Sequence, residues 1–394
     1  MSSRGRVAVV GGSLGGLTAA LLLRDLGFDV TVYERSAHKL EQRGAGLGFL
    51  PDASRYFRER CGINVADIST TTEIIRYLNR DGSIRHERPV TYHFTSWLTV
   101  YGLLLERFDQ QRYLTGKEAV GFDQDADAVL IRFADGTQAE ADLLVCADGV
   151  QSALRRQLLP ASEREYSGYV AWRCMIPEAA LEPETAAALG DAITYAFAAN
   201  TQILVYPIPS PSGSVTPGER LINTVWYRNY QRGGDLDDLM TDVDGRLHDP
   251  TLPPGAARPE HVAEMRAFAQ ARLPAVIAEA VVRADEPFVQ AVYDLSVDRM
   301  AFGRVCLIGD AGFVMRPHAA AGTAKAAANA WALADALERH ESIPEALEAW
   351  EPEQLRIGRE LTARTQRLGR ASQVDGTWEA PTDDTLFRLR EEGP

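Results

Sequence analysis

Hydrophobic and polar positions alternate along this chain in blocks of two kinds. Residues 6–11, RVAVVG, are continuously apolar after the first position, as in a strand buried on both faces. GLTAALLLRDLG follows with helical spacing, starting near Gly15 and stopping at Gly27. DVTVYER, residues 29–35, then predicts a second parallel strand. A crossover of this kind is right-handed and returns beside the first strand.

Three further blocks belong with this unit. DAVLIRFADGTQAEADLLVCADG, 127–149, alternates, turns at Asp135-Gly136 and ends in another buried strand. GRVCLIGDAG, 303–312, repeats the strand that ends in Gly-Asp, and an Ala-rich helix is predicted from about Thr323 to His340. Residues 344–372 predict one more helix, rich in Glu and Arg.

Between these blocks the pattern changes. YSGYVAWRCMI, AITYAFAANTQILVYPIP and RLINTVWYRNY are β-branched and aromatic with a period of two. They predict an antiparallel sheet facing something apolar, with PSPSGSVTPGE as a loop between two strands. Residues 73–93 add strands to that layer. The fold class expected is α/β: a Rossmann-like nucleotide-binding domain with an interleaved β-rich substrate domain and C-terminal helices. The first comprises residues 1–72, 94–165 and 285–394, the second 73–93 and 166–284.

Composition narrows the function more than the fold. The chain has 394 residues, enough for two cores. Its formal net charge of −14 argues against a general nucleic-acid or anionic-membrane binder. The longest apolar stretches are too short to span a bilayer. Four scattered cysteines, without CxxC or neighbouring histidine pairs, read as buried thiols, so no metal site or disulfide is expected. MSSRGR runs into the first strand without a secretory pattern, and a cytoplasmic protein is expected.

Candidate chemistry begins at VVGGSLGG, residues 9–16. Gly11 and Gly16 fill the outer positions of G-x-G-x-x-G, and Ser13 stands at the middle one. The first glycine permits a tight turn, the middle position admits a pyrophosphate, and the last lets helix pack on strand. Ser13 is small, and its hydroxyl can donate to a phosphate. Leu14 and Gly15 complete the turn, whose helix N-terminus attracts the phosphates. Glu34 closes the second strand, where a carboxylate accepts from ribose hydroxyls. Arg35 is either an adenine or ribose contact or a solvated charge.

Two later motifs complete an ordered set. CADGVQSALR carries Asp148, Gly149 and Arg155, and LIGDAGFVMRPHAAAG carries Gly309, Asp310 and Pro317. In this order the motifs resemble the FAD-dependent aromatic hydroxylases of the para-hydroxybenzoate hydroxylase type. GGSLGG, GYVAWR and GDAGFVMRPHAAAGTAKAAANAWALADAL are similar to those that act on dihydroxypyridines. The resemblance implies non-covalent FAD, NADH and O2 as co-substrates, a small aromatic substrate and a homodimer. It places Asp310 on the ribityl chain, and Asp148-Gly149 at both FAD and the nicotinamide. It places Arg43 near the ribose or pyrophosphate. The loop from Pro317 through Ala321 to Gly322 passes the flavin edge. The chain departs from the family at Gly102, where an arginine is usual, at Asn329, where an acid is usual, and at HAAAG, which replaces a glycine-rich loop.

Tyr206, in ILVYPIP, is a candidate to orient a substrate hydroxyl or a packed core aromatic. His318 is a candidate base or donor to the ring, or a loop histidine bonded to backbone. Tyr227 and Trp226 point to opposite faces, as do Trp172 and Arg173; Tyr227 and Trp172 are taken as substrate contacts and Arg173 as a salt-bridge residue. Strands 193–208 and 221–227 contain no interior cation, which favours an uncharged ring over salicylate, a hydroxybenzoate or a hydroxynicotinate. A non-catalytic FAD-binding regulator is the alternative of a different class.

Overall fold

The computed structural model describes residues 4–40, 45–379 and 387–389. Its six-stranded sheet runs in the order Ala301–Phe302, Val305–Leu307, Leu143–Cys146, Arg6–Val10, Asp29–Tyr33, Tyr113–Leu114. All neighbours are parallel except the first pair. The two faces of the first strand divide its residues. Val7 and Val9 pack beneath helices, whereas Ala8 and Val10 pack on a three-stranded antiparallel sheet through Phe122, Ile131 and Phe133. That small sheet contains the expected turn, with Gly136 at φ +81°.

Helix Leu14–Asp25 starts one residue before the expected Gly15. Helices Gly322–Arg339 and Ile343–Gln373 match the two predicted C-terminal helices within a residue at each end. Helix Gly322–Arg339 lies against Leu14–Asp25, which brings the chain's two Gly-rich strand ends side by side. Among the described residues no helix is long and apolar enough to cross a membrane. All four cysteines are free thiols, and Cys146, Cys174 and Cys306 are buried.

The second sheet has nine strands, from Thr251–Leu252 through Asp285–Asp294, Glu165–Pro177, Leu221–Asn229, Thr201–Ile208, Ala192–Ala198, Thr70–Leu78 and Ile84–Ser96 to Gly46–Gly48. Strand Asp285–Asp294 pairs with Glu165–Pro177, so the sheet extends past the expected divide at 284. Strand Gly46–Gly48 is the edge strand of the same sheet, paired with Ile84–Ser96.

Both faces of this sheet are covered. The front carries Tyr169, Tyr195, Tyr206 and Tyr227 in the core shared with the nucleotide-binding part. The back carries Trp172, Ile203, Val205 and Trp226 under helices Pro259–Arg272 and Ala275–Arg283. The strand alternation does not announce these two helices. Their presence explains why strand Thr201–Ile208 has no exposed residue at all.

Candidate functional site

The glycine turn is built by close approach. Gly11 has φ +106°, and a side chain there would strike the carbonyl of Ala147. A side chain at Gly16 would strike the carbonyl of Gly11. Ser13 is the N-cap residue of helix Leu14–Asp25, but its side chain makes no capping bond. Gly15 faces Ala326 of the neighbouring helix. Buried Glu34 accepts from the Gly12 and Ser36 amides, both at 2.9 Å. The carboxylate thus fixes the turn as well as closing its strand, and each oxygen keeps acceptor capacity for a ribose hydroxyl. Arg35 is exposed. Arg43 lies outside the described residues.

Sequence reasoning missed a tyrosine relay beneath the turn. The Tyr113 hydroxyl donates to the Gly12 carbonyl at 3.0 Å and lies 3.1 Å from the Tyr101 hydroxyl. Tyr101 in turn accepts from the Leu40 amide at 3.1 Å. Beside Tyr101, a side chain added at Gly102 would meet open space.

The second motif stands at the end of strand Leu143–Cys146. Asp148 is half-buried, its covered Oδ1 has no partner, and desolvation raises its pKa, opposed by a bond from Ser152. Gly149 opens onto free space at φ +77°. Arg155 donates to the Val150 carbonyl at 2.9 Å and to the Ala311 carbonyl at 3.2 Å, tying this turn to the third motif.

At the third motif Asp310 is half exposed, 3.8 Å from the ammonium of Lys325. Lys325 is fully buried and donates to the carbonyls of Gly309 and Phe313. Burial pulls its pKa down to about 8, and Asp310 opposes that shift. Asn329, one turn further on, accepts from the Gly309 amide at 3.0 Å and donates to Gln354 at 2.9 Å. The family's acidic position is therefore used here to hold the strand end. Pro317–Ala319 form a short 3-10 turn, and Ala320 stands at φ +51°. Helix Gly322–Arg339 then begins from Ala321 with no side-chain cap and no acidic residue in its first turn, leaving its positive end for an anion. The glycine cradle, the orphaned Asp148 oxygen and this uncapped helix start fit an FAD along the strand ends.

On the front of the nine-stranded sheet, Tyr227 and His318 meet with ring centroids 4.5 Å apart. The Tyr169 hydroxyl lies 2.8 Å from His318 Nε2, and the Arg316 guanidinium, bonded to Asp294, stands over the Tyr169 ring. Nδ1 is buried and unpartnered. Burial, aided by the Arg316 charge, lowers the His318 pKa to about 3. The His318 imidazole is therefore neutral at ordinary pH. Pro317, beside it, is exposed. Tyr206 stacks on Phe94 at 4.1 Å, one strand beyond Tyr227.

Trp172 is corrected: it lies on the back of the sheet with Trp226, under helices, and shares no face with Tyr206 and Tyr227. Alternation then puts Arg173 on the front, where Ala171 packs in the same core as those tyrosines. Arg173 is not in a salt bridge among the described residues. It donates to the Gly46 carbonyl at 2.8 Å and to Gln290 at 3.1 Å, and its Nε has no partner. The front face therefore does contain a cation, from strand Glu165–Pro177, which pairs with Leu221–Asn229.

A family described as "FAD binding domain-like" matches residues 166–294, and one described as "NAD(P)-binding Rossmann-like domain" matches residues 9–39. The chain is 38% identical to the 2,6-dihydroxypyridine 3-monooxygenase of Paenarthrobacter nicotinovorans, over 98% of this chain and 96% of that one. The solved 2,6-dihydroxypyridine-3-hydroxylase from Arthrobacter nicotinovorans superposes with a TM-score of 0.93 at 35% identity, covering 100% of both chains. A 6-hydroxynicotinate 3-monooxygenase of Bordetella bronchiseptica is 28% identical, over 83% of this chain and 81% of that one.

Proposed function

The chain belongs to the FAD-dependent aromatic monooxygenases, and from that premise we propose that it converts 2,6-dihydroxypyridine to 2,3,6-trihydroxypyridine with NADH and O2. The observation that carries this reading is the end-to-end likeness, in sequence and in fold, to hydroxylases of that ring. Free cysteines fit a cytoplasmic setting.

Bound FAD supplies the redox chemistry, taking hydride from the nicotinamide and activating O2 for transfer to the ring. The chain's own residues have simpler tasks. The turn at Gly11–Gly16, with Ser13 and Glu34, holds the adenosine and pyrophosphate end. Asp310, backed by Lys325, holds the sugar-alcohol chain. The uncapped start of helix Gly322–Arg339 would offer its positive end to the cofactor's ring when FAD is bound. The ring of the substrate lies against the front of the nine-stranded sheet. Tyr227 and Tyr206 orient it, and His318, neutral beside Tyr227, offers an unpartnered ring nitrogen. Buried aromatic walls exclude water around these groups. An acidic hydroxypyridine ionises without a strong base, which suits a histidine that does not titrate near neutrality.

A second reading is favoured by Arg173. A front-face cation suits a carboxylated ring such as 6-hydroxynicotinate or salicylate. NADH consumption by the purified flavoprotein separates the readings. With 2,6-dihydroxypyridine, the expected outcome is a large rise in NADH oxidation and a product heavier by one oxygen atom. A rise only with the carboxylated rings would replace the first reading by the second. NADH oxidation indifferent to every ring would point to the non-catalytic regulator.

A further inference from the structure

Arg76, Arg173, Arg220 and Arg228 all lie on the nine-stranded sheet or at its strand ends, and three of these are ion-paired. Arg76 pairs with Glu87 at 2.6 Å, Arg220 with Glu178 at 2.6 Å, and Arg228 with Glu264 at 2.8 Å. The fourth is Arg173. Among the described residues it meets no carboxylate, only the neutral oxygens of Gly46 and Gln290, and its buried Nε donates to nothing. A half-buried guanidinium without a counter-ion is a costly arrangement unless an anion joins it.

The neighbours do not supply that anion. Tyr206 and Tyr227 face Arg173 from the two adjoining strands on one side, and burial keeps both protonated despite its charge. On its own strand Tyr169 is likewise held protonated by burial. His318, on the loop above Tyr227, is neutral. From the strand on the other side, Phe288 lies 5.9 Å away and Asp294 is already engaged by Arg316 at 2.8 Å. Among the described residues, the front face around Arg173 is therefore an aromatic wall with no free carboxylate toward the guanidinium.

We propose that Arg173 is the counter-ion of the ionised ring oxygen of the substrate. The inference rests on the reading of the substrate as a hydroxylated aromatic ring. The ring hydroxyl gives its proton to bulk water before binding, and no protein base takes part. Nε then donates to the ring oxygen, while the other two nitrogens keep Gly46 and Gln290. The ionised ring is also the more electron-rich one, so the residue that binds it selects the form that reacts with electrophilic oxygen. Arg173 acts as a binding and specificity residue in direct contact with substrate.

The test is a binding titration of the holoenzyme without NADH, read from the flavin absorbance, between pH 5.5 and 9. Wild type, Arg173→Lys and Arg173→Met are compared with 2,6-dihydroxypyridine. In the wild type, affinity rises about tenfold per pH unit below the pKa of the free ring and levels above it. In Arg173→Met, affinity at the plateau falls by roughly 30-fold or more and the slope disappears. Arg173→Lys keeps the slope at weaker affinity, which a purely structural role would not produce. If Arg173→Met does not retain FAD, Arg173→Gln supplies the neutral comparison, because it keeps a donor toward Gly46. A neutral variant that binds the ring within threefold of the wild type, with the same slope, overturns the proposal. If the wild type binds no dihydroxypyridine but binds 6-hydroxynicotinate or salicylate, the substrate reading fails on its own. Arg173 stands in that case only if the neutral variant loses those anions too.

Discussion

Two loops leave the carboxyl ends of parallel strands in the six-stranded sheet, and they keep their shapes by opposite means. The turn at residues 11–16 works by leaving side chains out: the carbonyls of Ala147 and Gly11 occupy the space where methyl groups would be. The loop at residues 309–322 works by putting side chains in. A buried ammonium and a buried amide, one helical turn apart, grip the backbone of Gly309 and Phe313. Where a glycine would ease the path, this loop has Ala320 at φ +51°. The difference shows that a flavin loop can be fixed either by close backbone packing or by polar side chains reaching up from the helix it feeds.

The sharpest way to break the comparison is Gly16→Ala. The added methyl meets a backbone carbonyl, which has no rotamer to retreat into. Overpacking of this kind costs about 1–3 kcal/mol, and here the displacement falls on the pyrophosphate turn itself. The expected outcome is protein purified largely without flavin. Titration of the apoprotein with FAD should show affinity reduced by at least roughly 100-fold, on the order of 3 kcal/mol. Full yellow protein of normal affinity would mean the turn is not held by backbone contact.

The counterpart in the second loop is Lys325→Met, and its signature is in pH. Folded Lys325 has its pKa lowered to about 8, against an ordinary 10.5. Between these values the unfolded chain keeps the proton and the folded chain releases it, so Lys325 makes stability rise with pH across that window. Below pH 8 both states are charged, and the buried ammonium weighs against folding by up to about 3 kcal/mol. Urea unfolding at pH 7.5 and at pH 10 should therefore show a gain for the wild type, relative to the variant, at the higher pH. Parallel behaviour of the two proteins would mean that the ammonium is not the group gripping the loop.

The first loop was legible in the sequence and the second only in outline, for reasons visible in single residues. Gly11, Gly16 and Glu34 act through local geometry, so their spacing carries their role. Lys325 sits in an Ala-rich helix, where a lone lysine reads as a solvated charge. The signal that could have found it is its i, i+4 spacing to Asn329, which puts both polar groups on one face. The same limit governs the nine-stranded sheet. Alternation established that only one of Trp172 and Arg173 faces the substrate side. It could not tell which, because both faces of this sheet are buried and the helices covering the back carry no strand pattern. Arg173 follows from the placement of those helices, which depends on contacts distant in sequence.

Ala320→Gly is the smallest change and the mirror image of the first. At residue 16 a methyl is added to a backbone that cannot hold it; at residue 320 a methyl is removed from a left-handed backbone that disfavours it. The left-handed conformation costs an alanine about 1–2 kcal/mol, and the extra freedom of unfolded glycine takes back about 0.4–1 kcal/mol. A net gain of roughly 0.5 kcal/mol or somewhat more is expected, measured as a higher urea midpoint with unchanged slope. The Ala320 methyl also lies over Gly48, on the edge strand of the nine-stranded sheet. If packing there matters more than strain, the variant loses stability instead. A stabilised variant would show that the second loop carries its strain against the grip of Lys325 and Asn329, whereas a destabilised one would show that this loop too is fixed by close packing, with the methyl of Ala320 filling the space that glycines leave open in the first.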